Sequence, residues 1–326
     1  MDQVSVTVSI DTEEDNWGSF AESGATSTNI EHLPELQELL ARWGARPTYL
    51  VNRPPLLSTT SVAILGRLAE EPGVEIGAHC HPWNTPPSTG SGVERSMMCT
   101  LPLETNRSKI AEVSRRIEGE LGVRPRSFRS GRWAFGPTVA AALVSEGYLV
   151  DASVSPFIDW TSEGGPDYSD APNRPYRFEA ARPFEPQAEG SMVEIPATVG
   201  FLGGDHRRRA ATRRALERSP FRRLKVIGML NRLGVVQRRW LSPETSSASD
   251  MIRLAEACLR TGEPVLGLTF HSCSLLPGAT PFVRDDVDRR RFFDAIDAFL
   301  RFCSECSLSF RTLGEVGERY LVASPR

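Results

Sequence analysis

Three short segments share one alternation, and that pattern limits the fold more than anything else in the chain. In "VSVTVSID", Val4, Val6, Val8 and Ile10 fall on one face, and Ser5, Thr7, Ser9 and Asp11 on the other. In "VEIGAHCH", Val74, Ile76, Ala78 and Cys80 oppose Glu75, Gly77, His79 and His81. In "VLGLTFH", Leu266, Leu268 and Phe270 oppose Val265, Gly267, Thr269 and His271. Each reads as a strand whose small or polar face ends in an ionisable group. A small parallel barrel needs this arrangement. The apolar face packs on outer helices, the small face lines a narrow interior, and functional residues gather at the carboxyl ends of the strands.

The intervening chain fits an α/β protein with a mainly parallel sheet or barrel. Helical patterns occur in "NIEHLPELQELLARWG", with Asn29 as N-cap and Gly44 as stop, and in "STTSVAILGRLAEEPG". Others fall near 105–121 and 136–147, and in "SASDMIRLAEACLRTG" and "DDVDRRRFFDAIDAFLRFC". Strand patterns occur in "PTYLV", "SFRSG", "YLVDASV" and "MVEIPAT". Residues 155–190, rich in Pro, Gly, Asp and Ser, read as a long loop. The 326 residues suit one barrel domain, residues 1–326, carrying an insertion at about 205–240.

That insertion stands apart in charge. It holds twelve Arg or Lys against two acids, a surplus of ten that leaves the rest of the chain at −13 within a total of −3. Phe221, Leu224, Ile227, Leu230 and Leu233 recur at about helical spacing. A basic amphipathic helix fits, either solvated on its own domain or meeting an anionic partner such as a membrane surface or a substrate phosphate. The total of −3 gives no pull toward nucleic acid. No basic segment followed by a long apolar run opens the sequence, and no apolar run of about 18 residues occurs, so a cytoplasmic protein without a spanning helix is expected. The six cysteines are scattered; Cys303 and Cys306, at a helix end, read as plain thiols.

Two histidines at i and i+2 on a strand point the same way and can meet one ion. With one carboxylate they form a two-His, one-carboxylate set that leaves positions open for water and substrate. The carboxylate must come from "DTEED", where Asp11 and Glu13 share the interior face and Thr12 and Glu14 do not. The metal set read here is therefore Glu13, His79 and His81, around one divalent ion. Zn2+ heads the candidates, followed by Co2+, Ni2+ or Mn2+. Each signal alone has a plainer reading: His79 or His271 as a buried, hydrogen-bonded core residue, and "DTEED" as a solvated loop. His32 and His206 read as surface residues.

The ordered set of motifs resembles the polysaccharide deacetylases, carbohydrate esterase family 4, also called the NodB-homology fold. Its landmarks are "SIDTEED", "GAHCHPW", "FRSGRW", "DASVSPFIDW" and "LTFHS", in that order over about residues 4–315. The fragments "HPWNTPP" and "FRSGRW" look most like a divergent branch associated with bacterial surface-polysaccharide biosynthesis. The resemblance implies a distorted (β/α)7 barrel holding one divalent ion. It implies Asp11 as general base, Glu13 as metal ligand, His271 as the acid that protonates the leaving amine, and Arg129 as the residue that orients Asp11. The chain departs from the family in three places. Thr12 separates the two acids. The histidines stand as H-x-H rather than H-x-x-x-H, with Trp83 where the second histidine would be. "SGRW" replaces the usual Pro-Tyr after the motif arginine.

The function expected is metal-dependent removal of an acetyl or formyl group from an N-acylated sugar, a cytoplasmic or lipid-linked polysaccharide precursor. Trp83, Arg132, Trp133, Asp151 and Trp160 are the candidate substrate contacts, with Trp133 and Trp160 equally readable as core. Two alternatives stay open: a sugar-binding or scaffolding barrel that has lost its metal, and a glycoside hydrolase pairing Asp11 with Asp151 or Asp159.

Overall fold

The computed structural model of the chain describes residues 3–90, 92–218 and 237–322. Strand β1 (Ser5–Thr12) is buried along its whole length. The chain then continues through α1 (Leu33–Arg42), β2 (Pro47–Val51), α2 (Thr59–Glu70), β3 (Glu75–Cys80), α3 (Leu103–Leu121), β4 (Ser127–Ser130), α4 (Pro137–Ser145) and β5 (Val150–Asp151). Next come β6 (Tyr176–Phe178), β7 (Met192–Glu194), β8 (Val199–Phe201), α5 (His206–Arg218) and β9 (Arg238–Trp240). The chain ends with α6 (Ala248–Arg260), β10 (Val265–His271), α7 (Asp286–Glu305), β11 (Ser309–Phe310) and α8 (Leu313–Val322).

The main sheet has the order β10-β1-β2-β3-β4-β5-β7-β6. Every neighbouring pair in it is parallel except the last, β6 with β7. Seven parallel strands thus curl side by side, and β11 adds to the start of β1. The β8–β9 ribbon lies along β10, where Gly267 N–H donates to Thr198 Oγ1 and Thr269 N–H donates to the Leu241 carbonyl. The register sets Asp11 opposite His271, and His79 opposite Arg129.

The alternation read from the strands is the one observed. Val6, Val8 and Ile10 join the main core with Leu36 and Leu40 of α1 and with Phe292, Ile296 and Phe299 of α7. Side-chain caps start several helices: Ser58 accepts from Ser61 N–H, Ser247 from Asp250 N–H, and Asp285 from Val287 and Asp288 N–H. The first helix differs from expectation. Thr28–His32 form a 3-10 turn, and α1 begins only at Leu33, with Pro34 in its first turn where no N–H is needed. Asn29 is not the N-cap; its side-chain amide donates to the Glu13 carbonyl and to Asp15. Strands β6, β8 and β9 are too short to show alternation in the sequence.

Of the basic segment, residues 206–218 form α5; Phe221, Leu224, Ile227, Leu230 and Leu233 lie outside the described residues. His206 is buried rather than at the surface. Its Nδ1 accepts from Phe201 N–H at 3.0 Å, and Cys258 Sγ lies 3.7 Å from Nε2, so it ties α5 to the ribbon. No described helix is long and apolar enough to cross a membrane.

One buried cation fixes the loop after β3. Lys109 of α3 is fully buried, and its Nζ donates to the carbonyls of Pro82, Thr85 and Pro87 at 2.7, 2.5 and 2.6 Å. Two buried acceptors, Pro82 and Thr85, and the exposed Pro87 carbonyl therefore depend on one side chain. Lys109→Met leaves the two buried carbonyls unpaired, at ~1–3 kcal/mol for each, while water can reach that of Pro87. A clear fall in the denaturant midpoint is expected; an unchanged midpoint shows that the clamp contributes nothing.

Candidate metal centre

The carboxyl ends of β1, β3 and β10 bring together the groups that the alternation picks out. His79 ends the inward face of β3, and His81 follows just beyond its last residue. Their Nε2 atoms are 2.9 Å apart. Glu13 Oε2 lies 3.3 Å from the first and 3.2 Å from the second, and all three side chains are buried. Among the described residues this is the group whose ligand atoms lie close enough together to share one ion.

The outer nitrogens fix the tautomers. His79 Nδ1 is 2.9 Å from the Arg129 carbonyl, which can only accept, so in the neutral ring Nδ1 carries the proton and Nε2 the lone pair. His81 Nδ1 is 3.0 Å from Glu14 Oε1 and donates to it. With both rings neutral, two lone pairs and a carboxylate oxygen face one another with no donor between them. That set fits a divalent ion, with the outer hydrogen bonds in the supporting role common around metal-bound imidazoles. The electrostatics agree. Burial opposes charge on His81, but Glu14 first and then Glu13 push its pKa up to about 10. The pocket calls for a positive charge, met by a proton on His81 or, in its place, by a divalent ion.

Glu14 is a residue that the alternation misses. The strand ends at Thr12, so parity no longer governs two positions later, and the Glu14 carboxylate turns back to His81. Asn52 and Asn84 donate to the same carboxylate. Asn52, directly after β2, was detectable by the end-of-strand rule; Asn84 carries no such signal. Glu14→Gln replaces the charged acceptor with a neutral one, and a ~10–100-fold loss of zinc affinity is expected by calorimetric titration. Affinity equal to the parent chain shows that Glu14 does not support the site. Gly131 supports His81 from the other side: a Cβ there would run into the His81 ring, so a side chain at this position displaces the imidazole.

Beside this set lies a second one. Asp11 is buried, and Arg129 Nη1 donates to its Oδ1 at 2.6 Å. Arg129 is held in turn by Ser9 Oγ and Thr269 Oγ1 on the inner faces of β1 and β10, and by the Ala152 carbonyl just after β5. Burial favours the neutral form of Asp11, but Arg129, then His79 and His271, outweigh it and hold the carboxyl below its usual range. His271 Nε2 is 3.6 Å from Asp11 Oδ2, and its Nδ1 is 3.0 Å from Glu244 Oε2. Burial opposes charge on His271; Glu244, then Glu13 and Asp11, push its pKa up to about 10. Glu244 was invisible in the sequence, since it sits in the loop before α6 with no periodic or motif signal.

Both sets face a cavity of about 260 Å³ lined by Asp11, Glu13, His79, His81 and His271. Trp83, Arg132, Trp133 and Trp160 line it as well. Trp83 stacks on the His81 ring at 4.1 Å, and Trp133 packs under the Arg129 guanidinium. Arg132 and Trp133 both adopt positive φ, 55° and 58°, a strained pair at the cavity wall. Asp151 is placed elsewhere. It is fully buried, accepts from Ser153 N–H and Oγ–H, and pairs in register with Glu194. Burial pushes its pKa up to about 6; burial and the Asp151 carboxylate push Glu194 well above its usual range. Neither Asp151 nor the exposed Asp159 lines the cavity, so no second carboxylate from that stretch faces Asp11. Cys273 donates to Glu13 Oε1 at 3.5 Å from below.

The architecture and this site define an α/β barrel of the polysaccharide-deacetylase type. A Mycobacterium smegmatis protein assigned as a polysaccharide deacetylase superposes over 98% of this chain and 91% of its own, with TM-score 0.57 and 13% identity. A Pseudomonas aeruginosa PAO1 protein with the same assignment covers 97% of this chain and 90% of its own, with TM-score 0.52 and 14% identity. The chain therefore has their fold, the distorted (β/α)7 barrel. No family model and no curated protein matches the sequence.

Proposed function

We propose that the protein is a metal-dependent hydrolase that removes an acetyl or formyl group from the nitrogen of an N-acylated sugar. The observation that carries this reading is the meeting, in one cavity, of the Glu13–His79–His81 donor set with Asp11–Arg129 and His271–Glu244. Glu13, His79 and His81 would hold the ion, Zn2+ foremost, and a divalent ion there supplies Lewis acidity to a water and to the acyl carbonyl.

The protein's own groups handle the protons. Asp11, kept ionised and aimed by Arg129, takes the proton of the attacking water on Oδ2. The water oxygen bonds to the acyl carbon, and the carbon–nitrogen bond breaks. His271 delivers the proton on Nε2 to the departing amine, while Glu244 holds its Nδ1 side. The products are a carboxylic acid and a free amino sugar. Trp83, Trp133 and Trp160 offer aromatic faces for a sugar ring, and Arg132 a polar contact.

The substrate in this reading is a polysaccharide precursor in the cytoplasm, free or linked to a lipid pyrophosphate. The basic segment at 205–240 is an insertion on one barrel domain and meets the anionic carrier or the inner membrane face. The test is release of acetate or formate from N-acylated sugars and their lipid-linked forms, with zinc supplied and then chelated. Turnover lost on chelation and restored by zinc supports the reading. Equal turnover without metal contradicts it.

A further inference from the structure

A segment outside both side-chain sets bridges the mouth of the cavity. Beyond β1, residues 16–20 line the cavity. The base of this segment is pinned: the Asp15 carboxylate accepts from Thr28 N–H, Asn29 N–H and Thr26 Oγ1 at 2.8, 2.9 and 2.8 Å. Trp17 N–H donates to the Asp15 carbonyl and Ser19 N–H to the Asn16 carbonyl, with Gly18 at φ 74° turning the chain. The two aromatic residues flanking the turn reach in different directions. Trp17 meets the His271 ring edge-to-face at 4.7 Å and Phe282 at 5.3 Å, on the β10 side. Phe20 meets Trp83 edge-to-face at 5.0 Å, on the β3 side, and lies 5.2 Å under the Arg132 guanidinium. Arg132 is itself ion-paired to Glu163 at 2.7 Å.

The segment therefore crosses from one rim of the barrel to the other, with an aromatic contact at each end. The space beneath it, about 260 Å³, is smaller than the ~300–1,000 Å³ of pockets that take drug-sized ligands. A sugar inside a polymer needs both of its neighbours to leave the site along the rims. One neighbour would meet Trp17 and Phe282, the other the Phe20–Trp83–Arg132 stack. We infer that residues 15–20 form a fixed strap that restricts the site to one N-acylated sugar, free or at a chain end, with Trp17 and Phe20 as the specificity-determining residues. This rests on the deacylase reading, and it narrows the substrate class to a single sugar unit.

Saturation-transfer NMR on the full chain with zinc tests it. The probes are N-acetylglucosamine, N-acetylgalactosamine and N-acetylmannosamine, and the linear N-acetylglucosamine tetramer. Transfer confined to one terminal sugar of the tetramer is the expected result. In Phe20→Ala, transfer should spread to the adjoining sugar, with tetramer affinity rising roughly tenfold relative to the monosaccharides. Trp17→Ala provides a second opening on the other rim, and circular dichroism confirms that each variant is folded. Transfer spread over internal sugars in the parent chain overturns the strap while leaving the deacylase reading intact. No transfer to any of the N-acetyl sugars overturns the single-sugar inference, and acyl release from N-formyl or lipid-linked sugars then decides the deacylase reading separately.

Discussion

Asp11→Asn is expected to lower deacylation by ~10²–10⁴-fold, the usual contribution of a positioned general base. The substitution changes little else. An asparagine oxygen still accepts from Arg129, and Arg129 keeps its bonds to Ala152, Ser9 and Thr269. What is lost is a carboxylate that burial would neutralise and that Arg129 keeps charged. Asp11 Oδ2 also lies 3.6 Å from His271 Nε2. Zinc content should stay at the level of the parent chain, because Asp11 is not among the three residues facing the ion's position. The decisive comparison is turnover with zinc bound in both proteins. A variant that turns over at the parent rate removes Asp11 from the chemistry.

Zinc is expected to stabilise the fold, and losing any one ligand should abolish that effect. A ligand that binds only the folded chain adds RT ln(1 + [L]/Kd), or ~2.7 kcal/mol at a hundred times Kd. The buried Nε2 atoms of His79 and His81 beside Glu13 are the part of the site that an ion would bridge in place of a proton. Thermal scans with zinc and with chelator should differ in the parent chain and coincide in Glu13→Gln, His79→Ala and His81→Ala. His81 is the sharpest of the three, since the family pattern puts its second histidine two positions later, where Trp83 stands. A zinc shift that survives in His81→Ala would place the ion elsewhere.

Much of this site is legible in the sequence, because side chains on a strand alternate with a period of two. Asp11, His79 and His271 end the inward faces of β1, β3 and β10, and that rule alone brings them to one end of the barrel. Glu13 and His81, one residue beyond their strands, keep the same parity. The rule fails at Glu14, where the chain turns and a residue assigned outward comes back to His81. Partners that arrive through loops carry no signal, as with Glu244 against His271 and Asn84 against Glu14. Asp151 is misplaced by sequence reasoning because β5 is only two residues long, and register with β7 sets it against Glu194 inside the core. His206 sits among arginines in sequence, and that charge conceals a buried hydrogen bond to Phe201.

The central claim is that one divalent ion is held by Glu13, His79 and His81. Anomalous diffraction at the zinc edge, from crystals grown with zinc, tests it directly. The predicted map has one strong peak at ~2.0–2.2 Å from a Glu13 carboxylate oxygen and from the Nε2 atoms of His79 and His81. A map with no peak among these three side chains, or a peak bonded to Asp11 and Glu14 instead, would contradict it.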